Sequence, residues 1–239
     1  MTENSGMKKE AVSLSDTMDK IAGLTDLLTP EQKEELRKNI SIQTYAKNEA
    51  IYTEGDVPTS LLCLVAGKVK VFKSGVGGRS QIIRVIKPVQ YLGYRAYFAN
   101  QNYVTAASAF EQSVICKVPM ELVYKWMETN IRLSLFFVRQ LSLDLGISDQ
   151  RTVSLTQKHI RGRLAEALLF LQESYGLEED GATLSIYLTR EDLANLSNMT
   201  TANAIRTLSA FASEKIVAID GRKIKIVDME ALKKISKIG

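Results

Sequence analysis

The sequence predicts an α+β chain in three parts: an N-terminal double-stranded β-roll of jelly-roll type, a long dimerisation helix, and a C-terminal winged helix-turn-helix. Three observations carry this. Between Ser41 and Lys117, short β-rich runs alternate with glycines at 55, 67, 75, 77, 78 and 93, the pattern of closely spaced strands joined by tight turns. After Pro119 the pattern turns helical for some forty residues. From Leu188 to Val227, two short capped helices precede two β-rich runs joined by Asp220-Gly221-Arg222-Lys223, in which Asp-Gly is a hairpin signal.

In chain order, residues 1–24 are polar and irregular and read as a flexible tail, with the roll assigned to 25–118. Thr29-Pro30-Glu31 opens a short helix with a cap, a first-position proline and an early acid, and Leu36 and Ile40 are its apolar contacts. Strands are expected at 50–52, 61–65, 68–72, 81–86 and 113–118. Gly75-Val76-Gly77-Gly78 lacks the Gly-Lys-Ser/Thr that follows in a phosphate loop, so it reads as a hairpin end.

The long helix is assigned to 119–159. Ser134, Val138, Leu141, Leu145, Ser148, Thr152 and Leu155 recur at alternating steps of four and three, the 3.5-residue period of a coiled coil. A parallel dimer buries that stripe; packing on the chain's own roll alone is the competing arrangement. Trp126, Phe136 and Phe137 are assigned to the roll side. A hinge is placed near Lys158-His159, and the C-terminal domain at 160–239. Its first helix carries Leu164, Leu168 and Leu171 and ends near Tyr175; an acidic loop, Glu178-Glu179-Asp180, leads into a strand at 183–187. Thr189 and Thr200 are the two caps of the helix pair, and Ala204, Ile205, Leu208, Phe211 and Ala212 give the second helix its apolar spacing. A helix-turn-helix sets that second helix in a DNA major groove. A small α+β subdomain without nucleic acid is the competing reading.

Bulk properties narrow the classes. The net charge of +4 is too modest to imply nucleic acid, but nine Lys/Arg against six Asp/Glu follow Tyr187, with Arg222, Lys223 and Lys225 bunched on the wing. Cys63 and Cys116 are too few for a disulfide framework or a four-cysteine iron–sulfur cluster, and their apolar surroundings make them buried thiols. No signal peptide and no run of about 20 apolar residues is present, which implies a cytoplasmic protein that does not enter a membrane. No nucleophile–base pattern or metal-ligand spacing occurs, so no enzyme and no metal site is expected.

The order of elements resembles the Crp/Fnr family of bacterial transcription regulators across roughly residues 25–230. The resemblance rests on Glu54-Gly55-Asp56 followed by Leu61–Val71 with its Gly67-Lys68-Val69, on Gly162-Arg163-Leu164-Ala165, and on Leu188-Thr189-Arg190-Glu191-Asp192-Leu193-Ala194. It implies a homodimer on a near-palindromic site in double-stranded DNA. Arg206 matches the family's base-reading arginine and suits guanine, Asn203 suits adenine, Thr201 adds a polar contact, and Ala202 replaces the usual glutamate. Thr189, Arg190 and Thr200 are assigned to phosphates, with Arg222 and Lys223 on the wing.

The effector region departs further from the family. Where cyclic-AMP receptors carry Gly-Glu and Arg-Ser/Thr, this chain reads Gly93-Tyr94-Arg95 and Tyr103-Val104-Thr105, so the phosphate arginine is replaced by Val104. A buried phosphate without a paired cation is expensive, which argues against cyclic AMP in the usual pose. Rotation of Arg95 inward is the one local rescue. Ser148 on the long helix completes the expected pocket for an unidentified small molecule, unless the protein is DNA-competent without one. The N-terminus lacks the family's iron–sulfur cysteines, and His159, the sole histidine, sits at the hinge, which argues against haem. The acidic loop stands where some family members touch RNA polymerase. A non-DNA regulatory subunit that holds a nucleotide or other ligand in the roll remains the alternative function.

Overall fold

The computed structural model describes residues 14–75 and 80–238. Two four-stranded antiparallel sheets form the roll. One has the order β1 (Ser41–Tyr45), β8 (Ser113–Pro119), β3 (Ser60–Ala66), β6 (Tyr91–Leu92); the other has β2 (Ala50–Tyr52), β7 (Ala106–Ala109), β4 (Val69–Ser74), β5 (Ser80–Ile86). All five expected strands form. β1, β6 and β7, and the short helix α4 (Tyr94–Phe98), carried no clear period in the sequence.

The near-continuous apolar run of β3 has a two-sided explanation. Leu62 and Leu64 point between the sheets with Val69, Ile86 and Ile115, whereas Leu61, Cys63 and Val65 pack outward against Met120, Val123, Trp126 and Phe137. A central strand covered on both faces loses the usual apolar–polar alternation. Cys63 and Cys116 sit opposite one another on β3 and β8, both buried and unlinked. Burial pushes the Cys116 thiol up to about 12 and Cys63 higher still, so both remain protonated at neutral pH.

Residues 14–24 depart from the expected tail. They form α1 (Leu14–Lys20) and most of α2 (Ala22–Thr25), and Ile21 and Leu24 enter the cluster under Trp126. Leu14, Met18 and Ile21 stand at helical spacing within an otherwise polar stretch, and a neighbouring surface gives Ile21 and Leu24 a place to bury. Residues 1–13 lie outside the described part. So do 76–79, although the flanking β4 and β5 pair as an antiparallel hairpin. α3 (Pro30–Asn39) starts as expected, with Thr29 and Gln32 forming a reciprocal capping box.

The forty-residue helix is two helices. α5 (Met120–Thr129) and α6 (Ile131–Gln157) are separated at Asn130. The Asn130 amide nitrogen donates to the Leu27 carbonyl at 2.8 Å and to Gln32 Oε1 at 2.9 Å, while its oxygen caps α6 by accepting from the Leu133 N–H at 3.2 Å. Those partners lie about a hundred positions away, so the break is a tertiary effect. Beyond Gln157, α7 (Ile160–Tyr175), α8 (Arg190–Leu196) and α9 (Thr201–Ser213) are followed by β9 (Val217–Asp220), β10 (Lys223–Ile226) and α10 (Met229–Ile238). The strand expected at 183–187 is reduced to two isolated bridges, Leu177–Leu184 and Thr183–Lys225.

The C-terminal core is continuous with the roll. Ile82, Val85 and Phe110 share one apolar cluster with Leu164, Leu168, Leu193 and Phe211. Lys70 of β4 makes an ion pair with Asp192 of α8, both side chains mostly buried, and its ammonium lies 5.1 Å from the centre of the Phe110 ring.

Asn130→Ala removes a helix cap and takes the donor from the half-buried Leu27 carbonyl, while Gln32 Oε1 keeps the Thr29 N–H, so it should destabilise the protein by about 1–2 kcal/mol. Urea unfolding followed by circular dichroism measures this; a change below about 0.5 kcal/mol, the range of ordinary surface substitutions, would show that the junction is held by apolar packing alone.

Candidate nucleic-acid interface and effector region

Local chemistry builds the helix pair. The Thr189 hydroxyl accepts from the Asp192 N–H at 3.0 Å and donates to its carboxylate at 2.8 Å, which starts α8. Asn198 turns the chain at φ 49°, a left-handed conformation that asparagine tolerates. The Thr200 hydroxyl then accepts from the Asn203 N–H at 3.2 Å and starts α9. Ala204, Thr207, Leu208 and Phe211 bury one face of α9. The opposite edge exposes Thr201, Ala202 and Arg206, with Asn203 half-buried beside them. Ile205 lies on that same exposed edge, 47% accessible. Sequence spacing had assigned it to the core; the helix angle turns it outward, where an apolar group suits a thymine methyl.

The cations divide into free and engaged. Among the described residues, Arg206 and Arg222 make no hydrogen bond or ion pair, and the Asn203 side chain is likewise uncommitted. Arg190 instead donates to the Gly221 carbonyl at 2.7 Å and so ties α8 to the wing turn. Lys223 lies 3.6 Å from Glu178 and over the Tyr187 ring, and Lys225 pairs with Asp180 at 3.2 Å. Backbone N–H groups of Thr183 and Ala182, together with the Thr183 hydroxyl, hold the Asp180 carboxyl well below the usual carboxylate range. Two acids of the exposed loop therefore clamp the wing, and the third, Glu179, is exposed without a partner among the described residues. The hydroxyls of Thr189 and Thr200 are occupied as caps, which leaves the remaining N–H groups of each first turn as the donors nearest a phosphate.

The expected effector residues are largely engaged with one another and with α6 or turned to solvent. Tyr94 is fully buried, and its hydroxyl donates to Asp144 of α6 at 2.8 Å. Arg84 of β5 donates to the same carboxylate at 2.6 Å. Burial and the Asp144 charge both push the Tyr94 phenol above its ordinary range, so it stays a donor. Gly93, at φ 97°, approaches so closely that a Cβ would stand 2.6 Å from the Ser60 carbonyl and 3.0 Å from the Tyr103 hydroxyl. Tyr103 stacks on Tyr52 with ring centres 3.9 Å apart. Arg95 and Val104 face solvent, so the inward rotation of Arg95 is not adopted; Thr105 is half-buried. Ser148 is exposed, and Asp144, one turn earlier, is the α6 side chain that reaches Tyr94. Arg84 and Asp144 were not anticipated, because nothing in a lone strand arginine or helix aspartate signals that the two will meet.

α6 buries Leu133 and Phe137 on the roll, and Leu141 and Leu155 are half-buried. Val138 and Leu145 of the predicted seam are 58% and 63% exposed, Ser148 and Thr152 are exposed, and Leu135 beside them is 59% exposed. His159 caps α7 from an exposed position without a side-chain bond. Among the described residues, no group of three or more His, Cys, Asp or Glu could hold a metal, and no helix is long and apolar enough to cross a membrane.

Comparison with known proteins accords with this geometry. The cyclic nucleotide-binding domain family matches residues 42–130, and the Crp-like helix-turn-helix domain family matches 162–235. The chain is similar to a CRP-like cAMP-activated global transcriptional regulator of Mycobacterium tuberculosis, 23% identical over 212 residues that cover 88% of this chain and 95% of the relative. It is 25% identical over 187 residues to the electron transport regulator A of Shewanella oneidensis, covering 78% of this chain and 74% of that protein. The structure of FixK2 from Bradyrhizobium japonicum superposes with a TM-score of 0.74 at 20% identity, over 82% of this chain and 96% of that one, which shows a shared fold.

Arg206→Ala should weaken binding to the preferred DNA site by roughly 10- to 100-fold, the value of one bidentate base contact, and change binding to random DNA far less. Fluorescence anisotropy on both duplexes at matched salt checks this; equal losses on the two would reassign Arg206 to phosphate.

Proposed function

This chain belongs to the Crp/Fnr family of bacterial transcription regulators, whose members bind DNA through a helix-turn-helix and dimerise, and from that premise we propose how it reads DNA and what controls it. The Crp-like helix-turn-helix match removes the alternative of a regulatory subunit that does not bind DNA. Two copies associate in parallel through Val138, Leu141, Leu145, Ser148, Thr152 and Leu155 of α6, and the paired α9 helices enter successive major grooves of a near-palindromic site. The observation that carries this reading is the uncommitted edge of α9. Arg206 and Asn203 are free to pair with guanine and adenine, and Ala202 and Ile205 offer apolar contacts to thymine methyls. Phosphates are held by Arg222, by Lys223 on release from Glu178, by Arg190, and by the helix starts at Thr189 and Thr200.

The roll does not take a cyclic nucleotide in the usual pose. Tyr94 replaces the family's ribose-binding glutamate, and Val104, in place of the phosphate arginine, faces solvent. Arg84 beside Tyr94 is already paired with Asp144, and Lys73, whose ammonium donates to the Val104 carbonyl at 2.9 Å, is paired with Glu54. The Arg84–Asp144–Tyr94 cluster thus joins roll and α6 through the protein's own side chains, and this supports a regulator that binds DNA without a ligand in the roll.

RNA polymerase is the further partner, met through the loop at Glu178–Gly181. Since Glu178 and Asp180 hold the wing, Glu179 is the residue that tests the contact without disturbing DNA binding.

Selection of genomic fragments by the purified protein, with salt varied and no effector added, should enrich one near-palindrome. Adding cyclic AMP should change its affinity by less than about twofold, because a ligand without differential affinity shifts no equilibrium. Enrichment that requires cyclic AMP would refute DNA binding without a ligand in the roll. Glu179→Ala should lower transcription in a reconstituted assay several-fold while DNA affinity stays within about twofold, as expected of an exposed side chain away from the DNA. Unchanged transcription would remove the loop from the polymerase contact.

A further inference from the structure

A cavity of about 580 Å³ lies between the C-terminal half of α6, α7, the end of α8 and β5, its α6 wall beginning at Ile147, one turn beyond the Asp144 that holds Tyr94. That volume falls in the range of roughly 300–1,000 Å³ that holds small organic ligands. Ile147, Leu155, Leu169 and Phe170 line its apolar part, and Gln81, Gln150 and Ser197 add neutral polar groups.

Its charge is the unusual feature. Arg151 is half-buried in the wall, with its guanidinium 5.1 Å from the centre of the Phe170 ring. Among the described residues, it makes no hydrogen bond or ion pair. Burial lowers its pKa, although nearby Glu166 acts in the opposite direction. Glu166 does not close the pair: its oxygens take Lys158 at 3.4 Å and the Ser154 hydroxyl. A second copy supplies no carboxylate at the expected place either. On the predicted seam Arg151 precedes Thr152, and the residue that a parallel partner brings against such a position, one heptad on, is Thr156. Arg163 in the same wall has a buried Nε–H without an acceptor among the described residues. A cation withdrawn from water calls for a counter-charge.

We propose that this cavity binds a small organic oxyanion, a carboxylate or phosphate ester with an apolar body, held by the Arg151 guanidinium. The fork of arginine matches either oxyanion in bidentate fashion, and Phe170 with Leu169 covers the apolar body. Because the walls come from the dimer helix, the first helix of the C-terminal domain and the helix before the reading helix, a ligand that prefers one arrangement of these elements shifts DNA affinity. This extends the DNA-binding reading but does not depend on it for binding itself.

The test is calorimetric titration of the full-length protein, without DNA, with phenyl phosphate, benzoate and the uncharged benzyl alcohol. We expect saturable binding of one acid at one per protomer, none of the alcohol, and a loss of about tenfold or more in Arg151→Gln, the worth of one charge-assisted hydrogen bond. Arg151→Lys, which keeps the charge and loses the fork, should fall between. The acid that binds more tightly identifies the oxyanion class. Absence of saturable binding by both acids up to about 10 mM, weaker than any affinity of roughly −3 kcal/mol, overturns the proposal. Binding that neither Arg151 variant alters, with thermal unfolding showing both to be folded, overturns it equally.

Discussion

A 27-residue helix cannot leave an apolar stripe in water without consequence, and α6 has two such stripes. One is satisfied internally: Leu133 and Phe137 bury against the roll. The other, with Val138 and Leu145 more than half exposed, needs a surface of matching shape, and each such side chain gains about 1.5–3 kcal/mol when fully covered. A second α6 would have such a surface, and the family's members dimerise. The same helix carries Asp144 toward the roll and ends just before α7.

Attachment to the roll is doubled. The Asp144 carboxylate receives Tyr94 and Arg84, which fixes α6 to α4 and β5, while the Lys70–Asp192 pair and the Ile82–Val85–Phe110 cluster fix α8 to β4 and β5. β5 therefore touches both the dimer helix and the helix-turn-helix. Ion pairs that are mostly buried add less to net stability than to geometry, since desolvation offsets much of their attraction. Here they join α6 and α8 to the strands of the roll. The cavity beside Arg151 is lined from α6, α7, the end of α8 and β5, the elements these attachments join.

The wing shows a second economy of charge. Its lysines are the cations that a phosphate would attract, yet Glu178 and Asp180 already hold two of them. At exposed pairs the attraction is modest, so a polyanion as densely charged as DNA would compete for the same groups. The acidic loop thereby acts on wing position as well as presenting Glu179 outward.

Caps, turns and strands with a local cause were legible in the chain itself. Thr29, Thr189 and Thr200 start their helices through bonds to residues three positions away, and Asp220-Gly221 turns the wing where a hairpin needs it. Arg206 was likewise readable as an outward cation, because helix spacing alone separates it from Ala204 and Leu208. What tertiary structure decided were the features whose partners are distant. Asn130 divides one helical pattern into two by reaching Leu27 and Gln32, Ile21 and Leu24 become core only beneath Trp126, and Tyr94 is filled against Asp144 fifty positions on. Period and propensity report on neighbours within a turn or a strand pair; which remote partner a polar side chain bonds, or which remote face covers an apolar one, leaves no mark in spacing, because water serves the polar group equally well and any apolar surface would serve the other until the fold selects one.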